Sequence, residues 1–113
     1  MSYFDRTFQL WDYRVSHGQL LVRSPKSASV PTNLDIAFVG VEYLELPTMM
    51  RGLGLAEPSA ADYQRAGRML GKPVPNSHVF VVETDGRRYM VIAAAIKVFE
   101  NELDIFESSL EAF

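Results

Sequence analysis

HVFVVETDGRRYMVI, residues 78 to 92, carries the reading on which the fold turns. Two runs rich in branched and aromatic residues flank Asp85-Gly86, a pair suited to the positive φ angles of a two-residue type I′ turn. The register follows directly. Phe80 faces Val91 and Val82 faces Tyr89 on one side, while Val79 faces Ile92 and Val81 faces Met90 on the other, with Glu83 opposite Arg88. Both faces of this hairpin are apolar, whereas a one-sided surface sheet alternates, so each face needs cover from a helix or from another chain.

Working upstream, Phe8 to Arg23 reads as a second hairpin, with His17-Gly18 as its loop. In that register Val15 opposes Leu20 and Tyr13 opposes Val22, with Trp11 on the same face. Asp12 meets Arg23 on the polar side. Between the hairpins, Asn33 to Leu46 is a long strand bent at Gly40, which keeps one side apolar despite Glu42. Pro47 ends it, and Arg51-Gly52-Leu53-Gly54-Leu55 reads as a flexible stretch. A helix of about three turns is expected over Pro58 to Gly71, because Ser59 and Asp62 form a capping box and Gly71 suits the residue after the last turn. Gly67 inside that helix is read as a point of close packing against the sheet.

Downstream, Ile92, Ile96, Phe99, Leu103, Phe106, Leu110 and Phe113 recur at spacings of four and three. That heptad pattern favours a C-terminal helix. Acids crowd its last turns and Asn101, Ser108 and Ser109 are mediocre helix formers, so a strand over Leu103 to Phe106 is the alternative. The expected architecture is a β-rich α+β domain spanning residues 1 to 113: an antiparallel curved sheet or small barrel, a short mid-chain helix and a C-terminal helix.

The whole chain supports that scale. It has 113 residues, 48% hydrophobic, 22% charged and 12% aromatic, which suits one core and excludes a chain too polar to collapse. The longest apolar run, Tyr89 to Ile96, is far short of the roughly 20 residues of a spanning helix, so no membrane association is expected. Met1 to Arg6 lacks the basic and apolar pattern of an export signal, and a cytoplasmic location is the expectation. With no cysteine, thiolate metal sites and disulfides are excluded. A net charge of −3 has the wrong sign for a broad phosphate-neutralising face, which argues against nucleic acid as a partner. Charge is unevenly placed: Arg51, Arg65, Arg68 and Lys72 outnumber the acids between them, while Glu100, Glu102, Asp104, Glu107 and Glu111 stand unopposed.

No array for catalysis, metal binding or cofactor binding stands out. His17 and His78 are the only histidines and lie at no metal-ligand spacing. Gly52-Leu53-Gly54 has no third glycine for a dinucleotide loop. By elimination the expected function is a non-catalytic protein-interaction domain, self-associating as a homodimer. Its interface would draw on Val79, Val81, Met90 and Ile92 of the hairpin and Phe99, Leu103 and Phe106 of the tail. The rival expectation is a small barrel or small enzyme that takes a small molecule in an aromatic-lined pocket of Trp11, Tyr13, Glu42, Tyr43 and His78. There, Glu42 is the carboxylate drawn toward the core.

Overall fold

The computed structural model describes residues 2–112. Among them, β1 (Ser2–Arg14), β2 (Gln19–Ser24), β3 (Asn33–Val39), β4 (Tyr43–Leu44), β5 (Met49–Ala56), β6 (Val79–Thr84), β7 (Arg87–Ile92) and β8 (Ala95–Asn101) build one antiparallel sheet. Its spatial order is β4-β7-β6-β5-β1-β2-β3-β8, and α1 (Ala60–Leu70) lies between β5 and β6 in the chain. The protein is therefore β-rich α+β.

The β6–β7 hairpin has the expected register throughout, from Val79 opposite Ile92 to Glu83 opposite Arg88. Asp85 and Gly86 take φ of 50° and 72°, as the primed turn requires. The helix is also as expected: the Ser59 side chain accepts from the Asp62 amide, the Asp62 carboxylate accepts from the Ser59 amide, and Gly71 closes the helix at φ 66°. Gly67, however, does not meet the sheet. A Cβ there would meet only the Lys72 carbonyl, at an ordinary 3.7 Å.

Gly40 bends the chain as expected, and φ of 69° there turns β3 into β4. A second bend at Ala93–Ala94 turns β7 into β8. The two bends are joined: Ala94 N–H donates to Val39 O at 2.9 Å and Glu42 N–H to Ile92 O at 2.8 Å. The sheet is curled by these corners but not closed into a barrel, for its edge strands β4 and β8 do not pair with each other. Inside the curl lies the main core, with Phe8, Leu20, Val22, Ile36, Phe38, Met50, Leu53 and Val91 at its centre.

Three expectations are corrected. Arg51 to Leu55 is not a flexible stretch but the middle of β5, paired with β1 and β6. Its glycines make room for Tyr3: a Cβ on Gly52 would lie 2.2 Å from the Tyr3 hydroxyl, and Gly54 sits under the same ring. Opposite Gly52, β1 bulges at Asp5 and Arg6, so φ of 72° at Gly52 belongs to a shaped strand. The first hairpin exists with a different register. Val15–His17 forms a short 3₁₀ turn, Gly18 is the left-handed residue at φ 57°, and Tyr13 faces Leu20 while Leu10 faces Val22. A bulge at Trp11 sends that side chain to the outer face, because this part of the sheet is covered on both sides and does not sort apolar from polar.

The C-terminal helix is absent. Residues 95 to 101 form β8 against β3, with Phe38 opposite Ile96 and Ile36 opposite Val98. The four–three spacing falls across unrelated environments: Ile92 packs under α1, Ile96 against the main core, and Leu110 on the outer face of β2 and β3. An available ladder on β3 outweighs a helix whose last turns would carry only acids. The alternative strand over Leu103 to Phe106 is not formed either, and a short 3₁₀ turn at Ser109–Ala112 follows. Phe113 lies outside the described residues.

Candidate functional site

Each outer face of the curled sheet has its own cover. Under α1, Val79, Met90 and Ile92 pack with Ala66, flanked by Tyr43, Tyr63 and Leu70. Ion pairs pin this cover down: Arg88 to Asp62, Arg65 to Glu45, and Lys72 to Glu42 at 2.6 Å. Arg65 holds the Glu45 carboxyl below its ordinary range, helped by the Tyr43 hydroxyl, and that bond in turn raises the Tyr43 phenol.

The other cover is a strap, residues 103 to 112, laid over β2 and β3. Beneath it, Arg23 and Asp35 sit directly opposite each other on neighbouring strands. Arg23 Nε donates to Asp35 Oδ1 at 2.8 Å and Nη2 to Oδ2 at 3.0 Å, and both side chains are 0% exposed. Such a bidentate pair is the strong form of a charge-assisted hydrogen bond. The Asp35 carboxylate accepts a third bond from Asn101 Nδ2 at 2.7 Å. Asn33 Nδ2 donates to Asn101 Oδ1 and to the Leu103 carbonyl, both at 2.8 Å. The Arg23 guanidinium also lies 5.2 Å from the Trp11 ring, within cation–π range.

The cluster grips the strap mainly by its backbone. Arg23 Nη1 donates to the Glu107 carbonyl at 2.9 Å, and just ahead of the strap Lys26 Nζ donates to the Glu102 carbonyl at 2.6 Å. Beside it Leu110, fully buried, plugs onto Leu21 and Ala37 with Trp11 and Phe99 at its sides. Arg14 closes the far end through Glu111 at 2.7 Å. With Asp35 accepting three bonds, the arrangement positions a chain segment and offers no free base.

The predicted pocket residues do not converge. Glu42, Tyr43 and His78 lie near the Ile92 corner, where Tyr43 pairs with Ile92 and Ala93 N–H donates to the His78 carbonyl. Glu42 is exposed rather than drawn inward, held by Lys72. Tyr13 stands near the tip of the first hairpin, exposed, and Trp11 lies by the strap. Of five clefts measuring about 290 to 560 Å³, two are lined by Trp11 and none by Tyr13, Glu42, Tyr43 or His78.

Among the predicted interface residues, Val79, Val81, Met90 and Ile92 are buried within the chain. The hairpin's second apolar face is thus roofed by α1 rather than by a neighbour. Phe99 is half-buried beside the strap, Leu103 is half-buried at its start, and Phe106 is 93% exposed.

The Arg23–Asp35 pair was missed because charged residues in a strand read as a solvent face. The available signal was their placement: one basic and one acidic residue, each next to apolar neighbours, at equal distances either side of Ser29 in the connecting loop. Among the described residues no group of three or more His, Asp or Glu is placed to hold a metal ion, and no helix is long and apolar enough to cross a membrane. Comparison with family models, curated proteins and solved structures finds no match, so function rests on these residues alone.

Proposed function

We propose that this chain is a non-catalytic interaction domain that self-associates through the face carrying the strap. Phe106 supports this reading. It is 93% exposed, beside Ile105 at 65%, on a segment whose Leu110 is fully buried. An isolated apolar residue on a surface is ordinary, but two adjacent large ones held out by a turn are costly to leave in water. That turn is built for them: Asp104 Oδ1 accepts from the Phe106 amide at 2.8 Å, and the Glu107 amide donates back to the Asp104 carbonyl at 3.0 Å. Glu42, the one carboxylate expected in a pocket, is meanwhile engaged with Lys72 beside α1, and Arg23 with Asp35 lies beneath the strap.

Sedimentation velocity tests the reading. The chain should sediment as a dimer at micromolar concentration, and Phe106→Asp should shift it to monomer. A monomer for both would overturn the proposal.

A further inference from the structure

We infer that two copies associate by exchanging their straps, each strap seating on the Arg23–Asp35 cluster of the other copy. This rests on the self-association proposed above and specifies its mechanism.

The groove beneath the strap is poorly suited to standing empty. Lifting the strap from Glu107 onward removes the acceptor of one Arg23 N–H, the Glu107 carbonyl. It also uncovers Leu21 and Ala37, both 0% exposed under Leu110. Whatever leaves must be replaced by something with the same groups.

A second copy carries those groups in the same order. Its backbone supplies the Glu107 carbonyl, its Leu110 fills the apolar floor, and its Glu111 meets Arg14, so each of these contacts within one chain has an equal between chains. Exchange of an identical element retains the native contacts and changes only the connection.

The connection is where the two states differ. From Asp104 to Glu107 the chain bonds to itself in a turn, with Asp104 N–H donating to Glu107 Oε1 at 3.0 Å. That turn folds the strap back over its own sheet and leaves Ile105 and Phe106 in water. In an exchanged pair the two connections run side by side about the two-fold axis, and these side chains meet their counterparts. The dimer keeps the strap's contacts from Glu107 onward, gives up the bonds within the Asp104–Glu107 turn and gains burial of Ile105 and Phe106.

The chain has no cysteine, so an Arg14→Cys/Glu111→Cys variant carries two thiols, placed across the strap's far contact. Half of the protein is labelled with ¹⁵N, co-refolded with unlabelled protein, and treated with a short bismaleimide. Mass spectrometry of the linked peptides then reads their origin. Exchange predicts mixed-label 14-to-111 links as abundant as same-label ones, and fewer of them when Phe106→Ser is added. A sedimenting dimer with only same-label links would overturn exchange while leaving self-association standing. A sedimenting monomer would overturn both.

Discussion

Arg23 on β2 and Asp35 on β3 face each other in two parallel hydrogen bonds of 2.8 and 3.0 Å, with neither side chain reaching solvent. Removing one partner leaves an uncompensated buried charge. Asp35→Ala should therefore destabilise the fold by about 3–5 kcal/mol in urea unfolding. Arg23→Met/Asp35→Leu, which removes both charges, should recover most of that loss. Equal losses in the single and double variants would show that the pair's charge is not what matters.

Glu45 makes stability depend on acid. Arg65 and Tyr43 depress its folded pKa below the ordinary 4.5, so at acidic pH the unfolded chain takes up the proton first. Its contribution is full above about pH 4.5 and is lost as pH falls through the lowered folded value. Glu45→Gln should unfold with a flatter dependence on pH over that window. Asp62 also titrates low: burial opposes its ionisation, but the Ser59 amide and Arg88 outweigh that, so some slope remains. Parallel profiles for the variant and the parent would refute the assignment.

Gly40 and Gly86 share a left-handed backbone but not their surroundings. At Gly86 a Cβ meets nothing within 4 Å, whereas at Gly40 it would lie 2.9 Å from the Ala94 Cβ at the joined corners. Gly86→Ala should cost about 1–2 kcal/mol from conformation alone. Gly40→Ala should cost more, since the corners must also move apart. Thermal melting of both variants would decide it, and the reverse order would rule out the corner contact.

Leu110 and Phe106 divide the strap between folding and association. Leu110→Ala should lower stability by about 2–5 kcal/mol, as for other fully buried leucines. Phe106→Ser should leave the monomer's stability within about 0.5 kcal/mol, as exposed positions do, while weakening association. Urea unfolding and sedimentation on the same samples separate the two effects. A large stability loss at Phe106 would mean that it is packed in solution.

What could be read from the sequence is what short stretches dictate by themselves. Asp85-Gly86 demanded positive φ angles and thereby set the register from Val79 to Ile92. Ser59 and Asp62 satisfied each other's backbone across one helical turn, and Gly40 marked a bend. In each case the deciding partner lies within a few residues, so the pattern survives without knowledge of the rest. Where distant segments meet, the same reading failed. Gly52 and Gly54 looked like freedom until Tyr3, some fifty positions earlier, lay across them. The four–three spacing after Ile92 looked helical until β3 offered its hydrogen-bonding edge to residues 95 to 101.

Arg23 looked like surface because a charge in a strand normally is. Only folding brought Asp35 opposite it, Asn101 beside it and the strap above it, and burial of a charge becomes tolerable once those partners arrive together. Local conformation was thus written in neighbouring residues. Cover was settled by elements far apart in the chain, because which face of a strand is dry depends on what packs against it.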